Sequence, residues 1–316
     1  LPDRDVLAQA LEHARCTRNV SRIADVTAAA QHCATALASA ERARPPQLAL
    51  ANAERTRLGH FQRLLGDPVK ALVTLRHAVD EAVRVFGPDH PDTAIARYTL
   101  GIALISTDAP DQIALGITQL QTALAIRRAS FPQGGPAVAE SLQGLGDALA
   151  SAGRHAEAVP LLEDGLAMLE RAHAGTTAEA VNLHILAGMS LEELHRNKEA
   201  LVHDLAAADI ADRSLEHREE LAAMALRLAA NVEAADGRAA VGLVDAERAL
   251  RLLDRGHGSP AAIGKTQLVI AELAAATHDP QRARAMAVTA RATLLAAGDA
   301  GKEDLAEVDA FLRTHH

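Results

Sequence analysis

The sequence predicts an all-α fold in which antiparallel helix pairs stack into a solenoid. Three observations predict it. The first is composition: 71 alanines, 2% aromatic residues, no Trp and one Tyr in 316 residues. Ala, Leu, Arg and Glu favour helices, and the β-branched and aromatic residues that fill strands are scarce. The second is a set of three columns of small residues that recur at a fixed period, the mark of a repeat array. The third is a turn signal of Gly, Pro or Asp between successive helical stretches. A chain this long is at the upper limit for one hydrophobic core, so an elongated array suits its length.

The first column is Gly59, Gly101, Gly146, Gly188, Ala230 and Ala271, with steps of 42, 45, 42, 42 and 41 residues. The second is Ala71, Gly116, Ala158, Ala200, Gly242 and Ala283. The third lies seven residues further on: Ala78, Ala123, Gly165, Ala207, Ala249 and Ala290. Chance would fill about five of these eighteen places with Gly or Ala, and all eighteen are filled. Helices that cross closely need places where side chains do not hold the backbones apart. The first column therefore belongs to the first helix of each pair, and the other two share one face of the second helix.

In chain order, residues 1–44 read as an atypical or capping pair. Its helices are Asp3 to Cys16 and Ser21 to Ala43, with Ala29 and Ala36 in the second-helix columns. Six pairs follow, over residues 45–86, 91–131, 136–173, 176–213, 217–255 and 259–296. Turns such as Gly66-Asp67-Pro68, Gly153-Arg154-His155 and Gly237-Arg238 separate the two helices of a pair. Gly there closes one helix, and Pro suits the first turn of the next. Three extra residues around Thr107–Asp111 account for the 45-residue step. Residues 298–316 read as a C-terminal cap, with Leu305, Val308, Phe311 and Leu312 as its apolar stripe.

The segment LGDALASAGRHAEAVPLLEDGL (Leu145 to Leu166) resembles the tetratricopeptide repeat, with Leu-Gly and the later small residues at that family's offsets. The period near 42 and the linker FGPDHPDTA (Phe86 to Ala94) resemble its long-period, kinesin-light-chain-like variety. That variety is found in many bacterial signalling proteins, including C-terminal regions of Ser/Thr kinases. The likeness covers roughly residues 45–296. It implies a right-handed superhelix whose first helices line a concave groove. It also implies a non-catalytic scaffold that binds a protein or peptide, as a regulatory segment of a larger bacterial signalling protein. The scarcity of lysine (Lys70, Lys198, Lys265 and Lys302 only) fits a GC-rich bacterial genome.

Reading the groove positions around the first column gives Arg57, His60 and Arg63, then Tyr98, Ile102 and Ile105 with Ile95. Gln143 and Asp147 follow, then Asn182 and Met189, Arg227 and Asn231, and Lys265 with Glu272. Arg beside an apolar patch at Tyr98 suits a peptide that carries an acidic or C-terminal carboxylate, since Arg holds a carboxylate with two hydrogen bonds. Tyr98 adds amphipathic contact area. Asn pairs that hold a peptide backbone in long-period relatives are absent; Thr56-Arg57, Tyr98-Thr99 and Gln143-Gly144 stand there. The apolar groove positions also suit a second copy of the chain, so a homo-oligomeric self-assembly module is the alternative.

Other classes are disfavoured. A net charge of −9 with no basic stripe argues against nucleic acid. No run of 18 apolar residues suggests a membrane span, and no secretory signal opens the chain. The chain starts at Leu1 and is read as part of something longer. Cys16 and Cys33 are too few for a disulfide framework and read as two small buried residues, which places the protein in the cytoplasm. GSPAAIGKT (Gly258 to Thr266) misses the phosphate-loop spacing and follows a helix; Ser259 as cap and Pro260 at the first helical position explain it better. The fifteen histidines show no ligand spacing and read as solvated or groove residues. Ser190 has no base placed by the sequence. No metal or cofactor is expected, and the chain is read as no enzyme.

Overall fold

Helix starts and stops are written into the turns. In the computed structural model, which describes residues 23–214 and 218–315, they delimit fourteen α-helices and no strand among the described residues. These are α1 (Ile23–Arg42), α2 (Leu48–Leu64), α3 (Pro68–Phe86), α4 (Pro91–Ile105) and α5 (Pro110–Ser130). Then come α6 (Pro136–Ser151), α7 (His155–Arg171), α8 (Ala178–Glu193), α9 (Asn197–Ser214) and α10 (Glu219–Ala235). The last are α11 (Ala239–Arg255), α12 (Pro260–Ala276), α13 (Pro280–Ala296) and α14 (Lys302–Thr314), with one 3-10 turn at Gly298–Gly301. The expected helix Asp3 to Cys16 lies outside the described residues.

Pro opens α3, α4, α5, α6, α12 and α13, where its missing N–H costs nothing. Asp67 accepts from Lys70 N at 3.0 Å, Asp279 from Arg282 N at 3.0 Å, and Ser259 from Ala262 N at 3.4 Å. The ends are as regular. The turn between the two helices of every pair holds one residue in the left-handed region: Gly66, Asp108, Gly153, His195, Gly237 and His278, with φ from +55° to +77°. His173 and His257 close α7 and α11 in the same way. Part of the histidine excess therefore serves helix ends; His and Asp are among the few non-glycine residues enriched at positive φ.

The chain divides into two compact units, residues 1–153 and 154–316. The boundary falls in the turn of the third expected pair. In the first unit α2, α4 and α6 touch in succession, whereas α3 and α5 do not touch. In the second, α8, α10, α12 and α14 touch in succession, while the backbones of α9, α11 and α13 stand further apart and are bridged by side chains, Asp212 with Arg248 and Arg255, and Glu247 with Arg282. Within each unit the first helices thus form a closed inner layer and the second helices a spread outer one.

All eighteen small-column residues are buried. The first two columns meet at the crossings within each unit. A Cβ on Gly101 would lie 3.0 Å from the carbonyl oxygen of Gly116, one on Gly116 2.9 Å from that of Gly101, and one on Gly242 2.6 Å from that of Ala230. Backbone meets backbone, with no room for a methyl group. The three-residue insertion is one extra turn at the start of α5, which leaves the crossing at Gly101 and Gly116 intact.

Between the two second-helix columns stands a residue aimed at the first helix: Leu75, Leu120 and Leu162, all fully buried, but Asp204 in α9. Asp204 is 1% exposed, its Oδ1 has no hydrogen-bond partner, and Gly188 gives it space. Burial, with the charge of Glu192, pushes its carboxyl up from 3.8 to about 8.

α14 closes the second unit by packing Val308, Leu305, Phe311 and Leu312 on Leu268, Ala290 and Leu294. Cys33, fully buried in α1, is disulfide-bonded, which corrects the expectation of two free thiols; Cys16 lies outside the described residues. Disulfides persist in oxidising compartments, so the cysteines no longer argue for the cytoplasm. No helix among the described residues is long and apolar enough to cross a membrane.

Three outcomes are expected. Gly242→Ala pushes α10 and α11 apart and lowers the unfolding free energy by about 1–3 kcal/mol in urea titration. His278→Gly raises it by roughly 0.5–1 kcal/mol, the left-handed penalty less the added chain entropy of glycine. Asp204→Leu, which restores the residue of the sister helices, stabilises by about 1–3 kcal/mol at pH 8. The folded protein holds the Asp204 proton up to about pH 8 and the unfolded chain releases it near 3.8, so the wild-type stability from this group is present at low pH and lost as pH rises between those values. The gap between variant and wild type should therefore widen from pH 5 to pH 8; a constant gap would contradict the buried, protonated carboxyl.

Candidate functional site

The inner layer of each unit carries the polar groups that the helix pairs leave free. In the first unit these gather around Tyr98. A Cβ on Gly144 of α6 would lie 2.8 Å from Tyr98 Cε2 and 3.3 Å from Ile102 Cδ1, so glycine makes the bed on which the ring and Ile102 rest. Behind the ring stands Arg127 of α5, its Cζ 4.8 Å from the ring centroid, a cation–π contact. Arg127 is buried and donates through Nη1 to Ser141 Oγ at 2.8 Å, Glu140 Oε2 at 2.9 Å and the Ala137 carbonyl at 2.8 Å. The ring is therefore held on a fixed, neutralised cation. Burial, with Glu140, raises the phenol well above its ordinary pKa, so Tyr98 presents a neutral hydroxyl.

Arg63 of α2 is half-buried, close enough to Tyr98 and His60 for their charges to interact. Burial lowers its pKa, and among the described residues it forms no ion pair. His60 is kept neutral by burial first and by Arg63 second. Arg63, Tyr98 and Ile102 are thus brought together as a charged group beside an apolar and aromatic surface.

The other positions differ. Arg57 donates to Glu54 Oε1 at 3.1 Å and lines a small cavity of about 170 Å³ with Asn52, Thr56, Phe86, Asp92 and the exposed Ile95. Ile105 faces Gly116 of α5, where its Cγ1 would lie 2.8 Å from an added Cβ; it belongs to the crossing of α4 and α5, and this corrects its assignment to the groove. Gln143 is half-buried on α6, and Asp147 is exposed on the same helix.

In the second unit a cavity of about 700 Å³ opens on α8, α10 and α12. Asn182, Arg227 and Lys265 line it, with Met224 as its apolar contact. Lys265 is engaged, its Nζ 2.8 Å from Asp304 Oδ1 on α14. Arg227 is half-buried and forms no ion pair among the described residues; burial lowers its pKa, partly opposed by Asp304. Asn231 and Met189 are exposed and do not line this cavity, and Glu272 is exposed on α12. His184 Nδ1 and His203 Nδ1 lie 3.0 Å apart between α8 and α9, and burial holds His184 down to about 4. No group of three or more metal-ligating side chains occurs among the described residues.

Sequence reasoning missed Arg127 and Asp304. Arg127 lies on a second helix, outside the groove register. Asp304 comes from the cap, one residue before the apolar stripe that was recognised, and this adjacency was the available signal.

Residues 47–114 and 111–171 match the sequence model of a tetratricopeptide repeat family. No curated protein matches the chain. Among solved structures, a tetratricopeptide repeat protein from Parabacteroides merdae ATCC 43184 is 14% identical, covers 98% of each chain and superposes with a TM-score of 0.59. The kinesin-light-chain TPR-like repeats of Podosopora anserina are 18% identical, with 67% of this chain and 96% of that one covered and a TM-score of 0.52. A Rap protein complexed with competence and sporulation factor is 13% identical, with 99% of this chain and 94% of that one covered and a TM-score of 0.54. At these identities the likeness is one of fold.

Proposed function

We propose, from the match of residues 47–171 to a tetratricopeptide repeat model, that the chain is a non-catalytic scaffold that holds a protein or peptide partner on the inner layer of its helix pairs. Its place in this reading is a regulatory segment of a bacterial signalling protein. Proteins with this repeat are, in general, interaction scaffolds rather than catalysts, and one solved neighbour is a Rap protein in complex with a factor.

The observation that carries the proposal is Arg63. A guanidinium desolvated on the inner layer, with no carboxylate among the described residues upon it, is costly to keep unless something else supplies the acceptor. The neighbouring Tyr98 ring and Ile102 give apolar area for the adjacent side chain of a partner. A peptide with a carboxylate, acidic or C-terminal, beside an apolar residue meets both. In the second unit Arg227 stands beside Met224 and Asn182, but there Glu219, Glu220 and Asp304 line the same cavity, so Arg63 carries the reading alone.

The test is a peptide array probed with the purified chain, each peptide made once with a free C-terminal carboxylate and once amidated. Free-acid and acidic peptides ending in apolar residues should be retained. Arg63→Glu should weaken the best of them at least tenfold, about 1.4 kcal/mol, with the thermal midpoint unchanged. Retention that ignores both amidation and Arg63→Glu rejects this site.

A further inference from the structure

Arg97 of α4 stands where Arg55 stands in α2, each four residues before the small residue of the first column. Arg55 is buried and gripped from two sides, by Glu81 of α3 and by Glu41 of α1. One pair further on, both carboxylates are gone. Val83 of α3 occupies the place of Glu41, five residues after the last-column alanine, and Ile126 of α5 occupies that of Glu81, three residues after it. Arg97 keeps a single hydrogen bond among the described residues, from Nη1 to Gln119 Oε1 at 2.8 Å; its Nε is buried and has no acceptor. A guanidinium carries five donors.

Beside it, a cleft of about 520 Å³ opens between α3 and α5, on the side away from the Tyr98 surface. Leu100 and Leu104 of α4 form its floor, and Val79, Val83 and Leu115 its walls. Arg76 and Asp80, both exposed, also line it, so with Arg97 two cations and one carboxylate leave the lining one positive charge in excess. Leu115 stands where four sister helices carry a charged side chain, Lys70, Glu157, Glu199 and Arg282, and α11 carries Val241. The cleft is thus largely apolar, and it ends on a cation that lacks the two carboxylates gripping Arg55.

We propose that this cleft binds a small aliphatic carboxylate, with its carboxyl group on Arg97 and its hydrocarbon chain along Leu100, Leu104 and Leu115. The ligand supplies the acceptor that Glu41 and Glu81 supply to Arg55. The volume falls within the range of small-molecule sites, about 300–1,000 Å³. A free acid fits better than the end of a peptide. The walls are helices whose backbone groups are spent within the helices, and Gln119 is the one amide side chain at the cleft, so a peptide backbone would stay unmatched there. A hydrocarbon chain leaves nothing unmatched.

The experiment is calorimetric titration of the whole chain with octanoate, with octanol, octylamine and N-acetylleucine as comparators. Octanoate should bind saturably, with octanol at least tenfold weaker and octylamine without measurable binding. Arg97→Gln should weaken octanoate at least tenfold while the helical circular dichroism is unchanged. Val83→Glu places a carboxylate where Glu41 stands for Arg55; it should raise the thermal midpoint and abolish octanoate binding. The assignment fails if octanoate and octanol bind alike, if octanoate binds Arg97→Gln or Val83→Glu as it binds wild type, or if no saturable binding occurs. Preference for N-acetylleucine over octanoate would point to a chain terminus and overturn the free acid.

Discussion

Contact between the backbones of paired helices is the constraint on which the rest of this structure depends. At Gly101 and Gly116, and again at Ala230 and Gly242, a methyl group on the glycine would collide with the carbonyl oxygen of the opposite helix. Such closeness leaves few side chains to fix the register of the pair, so the few available must fit. Leu75 and Leu120 do this by filling the space over Gly59 and Gly101. The left-handed residue at the end of each first helix does the rest, because it sets the point at which the chain reverses. The 45-residue step shows the order of priority: the extra residues of α5 extend the helix outward, and the crossing keeps its two glycines.

Close crossing also decides where function can reside. When small residues make the helix–helix seam, the large and polar side chains of each first helix are released to the inner layer or to the gaps between second helices. The inner layer receives Arg63, Tyr98 and Ile102 in one unit and Asn182 and Arg227 in the other. The gaps receive Arg97 with Leu100 and Leu104. Residues 97 and 98 are neighbours in sequence and yet serve opposite sides of α4, since successive side chains point about 100° apart on a helix. The phenol of Tyr98 is buttressed by Arg127, a cation already satisfied by α6, whereas Arg63 and Arg97 retain donor capacity.

The fold was legible because its constraint is compositional. Gly or Ala at three offsets leaves a trace in the sequence that no alternative packing requires, and Pro68, Pro91 and Pro260 mark the helix starts. The site was legible only in part. Offsets along a helix give the direction of a side chain but not whether a partner has already taken its charge. The register placed Arg57, Arg63, Arg227 and Lys265 together; Glu54 and Asp304 divide them into engaged and free. The same register put Ile105 in the groove because it ignores the depth of the crossing, where Gly116 leaves a hole that Ile105 fills. The histidines at helix ends add a reason that the register does not give. His195 and His278 are exposed, and the left-handed backbone of the turn accounts for a histidine there.

Repetition makes the chain its own control. Neighbouring pairs share a frame, so a residue that breaks the column pattern is measured against its siblings under nearly constant geometry. Asp204 against Leu75 and Leu120 shows what a buried carboxyl costs when the surroundings were shaped for an alkyl group. Arg97 against Arg55 shows the converse, the same register without the two carboxylates that grip Arg55. A buried charge persists when its desolvation is offset, by the protein or by something the protein holds. Asp204 meets that condition by keeping a proton. For Arg97 the proposed site assigns that role to the carboxyl group of a bound ligand.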